Sequence, residues 1–194
     1  NGKRLGYREN ESLFFTHGVG IPFEQYSVSS NSSQYVREQL NIDNDDIIIS
    51  YVAELNDNKN HMFLLRNWNA LLQYHSKVHC LIVGTGEKEH ELKKYVEQAN
   101  LKHVHFLGYR NDIPEILSQS DIITLLSYRE GLPRCLMEAM VCGKPLVVSN
   151  IRGSRDLVKQ GVNGFLVDLG DDQSLVESFV KLINDKDLRE KMGQ

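Results

Sequence analysis

Short runs of β-branched and other apolar residues alternate along the chain with segments whose apolar positions recur every three or four residues. The runs at 47–55 (IIISYVAEL), 79–86 (HCLIVGTG), 103–108 (HVHFLG), 121–127 (DIITLLS), 145–150 (PLVVSN) and 164–168 (GFLVD) read as strands. Most are continuously apolar, the pattern of strands covered on both faces. Between them, 61–75, 88–100, 112–119, 132–142 and 153–160 carry helical spacing or helix-start chemistry, and 174–194 reads as one last helix. The polar stretch YSVSSNSSQ (26–34) reads as a loop leading to a short helix near QYVREQLNI (34–42). A βαβα alternation of this kind predicts an α/β fold: a Rossmann-like parallel sheet of about six strands with helices on both faces. In such folds ligands sit at the carboxyl ends of the strands, where loops run into helix N-termini.

Composition narrows the function. With 194 residues, 41% hydrophobic and 25% charged, the chain suits one sizeable core. A net charge of −4 excludes the basic field that nucleic acid or an anionic membrane demands, so any anion site must be local. No apolar stretch approaches the roughly 20 residues of a membrane span, and the start NGKRLGYREN lacks a signal-peptide core. A soluble cytoplasmic protein is expected. Cys80, Cys135 and Cys142 are odd in number, lie in apolar surroundings and form no CxxC, which reads as reduced structural thiols. The seven histidines, including His103 and His105 on one strand face and His75 and His79 about a predicted helix end, read as scattered surface residues; no metal site is expected.

Several motifs bear on chemistry. LIVGTGEKE is no dinucleotide loop, because the third glycine of GxGxxG falls at Glu89; Gly84 and Gly86 instead suit a backbone turn or the close approach of a base. In AELNDNKNHMF, Lys59 stands just ahead of a helix, where a cation opposes the helix dipole unless an anion shares the site. Lys59 is either waiting for phosphate or is a turn lysine paired with Asp57. In SYREGLPRCLMEAMVCGKP (127–145), Glu130 lies in a loop, Pro133 suits the first helical turn, and the amides of Arg134 and Cys135 are left free toward the crevice. Glu138 sits deeper, among Leu136, Met137, Ala139 and Met140. A carboxylate there needs a polar partner: the vicinal hydroxyls of a ligand, or Arg134 or Lys144.

Taken in order, AELNDNKN, LIVGTGE, FLGYRNDIPEILSQSDI, SYREGLPRCLMEAM, GKPLVVSNIRGSRDLV and GVNGFLVD resemble the retaining glycosyltransferases of family 4, of GT-B architecture, in particular bacterial capsule and exopolysaccharide enzymes. The resemblance runs from about HGVGI (17–21) to the end and implies the C-terminal, nucleotide-sugar-binding half of such an enzyme. Residues 1–20 would be a linker from an N-terminal acceptor domain, and 21–194 a donor-binding domain truncated at its end. By resemblance, Glu130 and Glu138 meet the EX7E signature, Glu130 toward the donor sugar and Glu138 toward the ribose hydroxyls. The amides after Gly131, through Leu132, Arg134 and Cys135, would hold the diphosphate that Lys59 neutralises, with Gly84 and Gly86 nearby and the base against Tyr109 and Arg110. One departure stands out. Where many members place an arginine for the diphosphate, this chain has Ala53 and Glu54, so Arg110, Arg129, Arg134 or Lys59 alone must supply that charge. The implied reaction moves a hexose from a nucleotide diphosphate sugar, UDP-linked, to a glycan or lipid-linked acceptor held by the other half. It uses no metal or other cofactor, at the inner face of the membrane, with little activity in this portion alone. A nucleotide-sugar 2-epimerase and a noncatalytic nucleotide-binding module share the architecture and stand as alternatives.

Overall fold

Six parallel strands form one sheet in the order β3-β2-β1-β4-β5-β6: β1 (Ile47–Val52), β2 (Val78–Val83), β3 (Val104–Gly108), β4 (Ile122–Leu125), β5 (Leu146–Ser149) and β6 (Gly164–Val167). The computed structural model describes residues 20–26 and 35–194. The expected linker, apart from Gly20, and most of the polar loop at 26–34 lie outside the described residues. Every predicted strand is present and shorter than the apolar run that announced it, although β2 begins one residue earlier, at Val78. The helices are α1 (Phe23–Tyr26), α2 (Tyr35–Leu40), α3 (His61–Tyr74), α4 (Glu89–Gln98), α5 (Ile113–Gln119), α6 (Arg134–Val141), α7 (Arg152–Arg155), α8 (Asp172–Asn184) and α9 (Lys186–Gly193). None of these is long and apolar enough to cross a membrane.

The continuous apolar runs still obey the strand period of two, because both faces are covered. In β1, Ile47, Ile49 and Tyr51 pack with Phe63, Leu64 and Trp68 of α3, whereas Ile48 packs with Val36 of α2, Leu81 of β2 and Ile116 of α5. Ser50, on the Ile48 side, is satisfied by the Ser120 hydroxyl at 2.6 Å. At the amino end of the sheet Arg37 of α2 is buried and donates to the carbonyls of Asp43, Asp46 and Gln119 and to the Asp121 carboxylate. It thereby ties α2 and α5 to the starts of β1 and β4.

Two helical expectations need correction. The segment 153–160 supplies only the four-residue α7, because its apolar positions, Leu157 and Val158, are used in the turn that follows. The last helix is two: Asp185 takes an extended conformation (φ −128°, ψ 97°) and its side chain caps α9 by accepting from the Leu188 amide at 2.8 Å.

Three of the histidines are not scattered. His79, His103 and His105 gather at the amino end of β2 and β3: His79 Nδ1 lies 3.1 Å from His105 Nε2, and His79 Nε2 lies 3.3 Å from His103 Nδ1 and 3.1 Å from Asp46 Oδ2. Among the described residues no group of three or more His, Cys, Asp or Glu side chains is arranged to hold a metal ion. Burial first, then the neighbouring His79 and His103, push the His105 imidazole down to about 4; burial also lowers His79, against the opposing pull of Asp46. The folded chain thus takes up protons less readily than the unfolded chain, where the value is 6.5. Stability should be complete above pH 6.5 and fall as the pH drops toward about 4, with a slope of at most about 1.4 kcal/mol per pH unit for each proton. Thermal melts across that window should show the decline, and His105→Gln should make it shallower by one proton's share, the remainder belonging to His79 and to the buried His61.

Candidate active site

Counting outward from β1, the chain builds β2 and β3 on one side, then returns to place β4 on the other. The connections leaving β1 and β4 therefore diverge, and a crevice opens between them at the carboxyl end of the sheet. NDNKN crosses that crevice. Asn56 caps a single 3₁₀ turn (Asp57–Lys59) by accepting from the Lys59 amide at 3.1 Å. Asn58 bonds the opposite loop three times: its amide group donates to Arg129 O at 2.9 Å, its side-chain oxygen accepts from Arg129 N at 3.1 Å, and its carbonyl accepts from Tyr128 N at 2.8 Å. Asn60 adopts the left-handed conformation (φ 48°) that asparagine tolerates better than most residues, and donates to Leu126 O at 3.2 Å.

This bridging places Lys59 Nζ 2.5 Å from Glu130 Oε1, with 22% of the lysine and 11% of the glutamate side chain exposed. The pairing of Lys59 with Asp57 that the sequence left open does not occur; Asp57 is 2.9 Å from Lys88 instead. Lys59, from the β1 connection, and Glu130, from the β4 connection, are thus brought together as a desolvated pair on opposite lips of the crevice.

The second carboxylate lies on α6. Glu138 is 6% exposed, and its Oε1 accepts from Arg134 Nε and from the Tyr26 hydroxyl, each at 2.7 Å. Of the two candidate cations, Arg134 is therefore the partner; Lys144 donates to Ser118 O instead. Oε2 has no hydrogen-bond partner among the described residues. Burial, and then the bond to Glu138, push the Tyr26 phenol up to about 12.

A cavity of about 630 Å³ gathers Glu138 and Arg134 with Tyr26, Glu54, Gly84, Gly86, Tyr109 and Arg110. Seven of the residues singled out in the sequence share this hollow. Lys59, Glu130, Gly131, Leu132 and Cys135 are not in its lining, but Cys135 links the two sets: burial foremost, with the charges of Lys59, Glu130 and Glu138 close by, moves its thiol to about 12. The amides of Arg134 and Cys135 begin α6 without a backbone acceptor among the described residues, and Pro133 is the cap rather than the first helical residue. All three cysteines are free.

Two details sharpen the sequence picture. Arg110 is committed to Asp112 through two bonds, at 2.8 and 2.6 Å, with a third to the Tyr35 hydroxyl, so it is not a spare cation. What Gly84 and Gly86 admit closely is the chain's own backbone, at Ala53 and Leu55, with Gly84 at φ +138°. Glu54 accepts from the Asn56 side chain at 2.9 Å, tying it to the lysine turn. Sequence reasoning missed the roles of Tyr26, Tyr51, the three asparagines and Gly153. Only the asparagines left a signal, three in five positions.

Gly153, in α7, lies directly beneath the Glu130 loop: a Cβ there would overlap the carbonyl oxygens of Gly131 and Glu130. Gly131 itself faces open space. Gly153→Ala should force the loop outward and cost about 1–3 kcal/mol, whereas Gly131→Ala should stay within about 0.5 kcal/mol of the parent. Denaturant melts of the two variants make the comparison.

Comparison with known proteins identifies the family. Residues 32–194 match the family model for glycosyl transferases group 1. The glycosyltransferase EpsD of Bacillus subtilis is 32% identical over 92% of this chain and 47% of its own length. The UDP-Gal:alpha-D-GlcNAc-diphosphoundecaprenol alpha-1,3-galactosyltransferase of Escherichia coli is 33% identical over 86% of this chain and 44% of its own length. Among solved structures, Anabaena HepE in complex with UDP-glucose superposes with a TM-score of 0.81 at 30% identity, covering 90% of this chain and 49% of HepE. The chain spans about half the length of the curated relatives it matches, and over that span it belongs to the group 1 glycosyl transferases.

Proposed function

We propose that this chain is the donor-binding domain of a retaining glycosyltransferase that moves a hexose from a UDP-linked sugar to a glycan or lipid-linked acceptor in polysaccharide biosynthesis. The observation that carries the reading is the Lys59–Glu130 pair at 2.5 Å on the lip of a crevice whose neighbouring cavity holds a second buried carboxylate, Glu138. The UDP-glucose bound to HepE and the UDP-Gal in the name of the Escherichia coli relative favour UDP as the carrier.

In this reading the ribose hydroxyls donate to Glu138, whose Oε2 is free to accept among the described residues. Lys59 leaves Glu130 for the diphosphate, joined by the Arg134 and Cys135 amides at the head of α6, where the helix dipole favours an anion. The leaving diphosphate is stabilised by these preorganised groups, without a metal. Freed of its cation, Glu130 turns to the hydroxyls of the donor sugar; it is not assigned as a covalent nucleophile. With Arg110 held by Asp112, the charge missing at Glu54 falls to Lys59, seconded by Arg134. Acceptor recognition and the approach to the membrane face are assigned to a preceding domain, so this portion alone should bind donor with little or no transfer.

Calorimetric titration with UDP and uridine tests the assignment. Lys59→Ala should weaken UDP binding by about 1–3 kcal/mol, the worth of a charge-assisted hydrogen bond, and leave uridine nearly unaffected; equal losses would overturn it. Glu138→Gln should weaken UDP by a similar amount and 2′-deoxy-UDP by less. Its melting temperature should fall only slightly, because Arg134, with 59% of its side chain exposed, can rehydrate when released. A variant with a strongly lowered melting temperature and unaltered ribose discrimination would instead assign Glu138 to structure.

A further inference from the structure

Lys59 owes its place to a main-chain atom. The Tyr51 hydroxyl donates to Lys59 O and accepts from Leu126 N at 2.7 Å. A single fully buried phenol on β1 thus spans the point where the connections of β1 and β4 part. His61, the first residue of α3, stacks on that phenol with ring centroids 4.1 Å apart and planes inclined by 29°. It is 2% exposed, yet neither ring nitrogen has a hydrogen-bond partner among the described residues.

An unpartnered polar ring in that position is costly, so its polar atoms do not account for its burial; its contact with Tyr51 does. Burial, and then the charge of Lys59, hold the imidazole at about 4, which keeps it neutral beside the ammonium. A second cation two residues from Lys59 would repel the first in so dry a setting. The neutral ring fills the space without that penalty.

We infer that Tyr51 and His61 are a positioning pair for Lys59: the phenol hydroxyl fixes the carbonyl of the lysine turn, the imidazole fixes the phenol, and the ammonium passes from Glu130 to the donor diphosphate on a turn that is already held. The inference rests on the reading of Lys59 given above. Neither residue touches the donor; both act through the turn.

The test compares UDP with uridine on the same chain, because loss of general stability weakens both ligands alike. Tyr51→Phe, which keeps the ring and removes the hydroxyl, should lower UDP affinity roughly five- to tenfold with uridine unchanged, and should add nothing in a Lys59→Ala background. His61→Ala should reproduce the UDP-selective loss, and His61→Phe, which keeps a stacked ring, should restore most of it. If Tyr51→Phe fails to fold, the two His61 variants carry the same comparison. Parallel losses for UDP and uridine, or a loss that adds fully to that of Lys59→Ala, would overturn the pair. A UDP-selective loss in Lys59→Ala with none in Tyr51→Phe or His61→Ala would sink this inference alone. Were Lys59→Ala itself without a UDP-selective effect, the site reading would fall, and the inference with it.

Discussion

The Lys59–Glu130 contact exists because two connections that the sheet order drives apart are sewn together by asparagines. Neither partner belongs to a regular element long enough to hold it: Lys59 ends a 3₁₀ turn and Glu130 stands in the loop before α6. Each loop alone would spend the pairing energy on ordering itself, as exposed ion pairs commonly do. The hydrogen bonds of Asn56, Asn58 and Asn60 remove that freedom beforehand, so the ammonium and carboxylate meet at 2.5 Å with most of their surface out of water.

The two carboxylates hold their cations differently. Glu130 and Lys59 are both largely covered, so separating them is tolerable only if another charge takes over, as a diphosphate would. Glu138 is covered, but Arg134 reaches it from solvent, with 8% and 59% of the respective side chains exposed. Arg134 can therefore leave at small cost, whereas Glu138 must always be satisfied. The Tyr26 hydroxyl on the same oxygen provides for that, leaving the other oxygen for an incoming group. The neighbouring pairs thus suit exchange at one site and sharing at the other.

The sheet was legible because its strands are covered on both faces, and continuous apolar runs between turn signals leave few alternatives. Lys59 and Glu130 were readable as a cation out of place and a loop carboxylate, and Glu138 as a charge in an apolar helix. Their partners were not. Tyr26 meets Glu138 across 112 positions and Tyr51 meets Leu126 across 75, contacts that only the tertiary arrangement creates. The three-histidine cluster escaped for the same reason, since His79 and the pair at 103 and 105 lie on separate strands. Arg110 misled because its local partner, Asp112, lies only two residues away and claims both ends of the guanidinium.

The two ends of the sheet divide the polar groups by purpose. At the amino end Arg37 gives its guanidinium to three carbonyls and a carboxylate, and Asp46, His79, His103 and His105 bond one another, although the second Asp46 oxygen is buried without a hydrogen-bond partner among the described residues. Such a network favours one arrangement and has little to offer a ligand. At the carboxyl end, among the described residues, Glu138 keeps an unused oxygen and the first amides of α6 lack acceptors. Polar groups left without partners in largely dry surroundings reduce stability, and the fold gains nothing from them in isolation. The Glu138 oxygen and the α6 amides beside the crevice are therefore understood as preparation for a partner that is polar, anionic and hydroxylated, and the rigid asparagine bridge is what allows the chain to hold them ready.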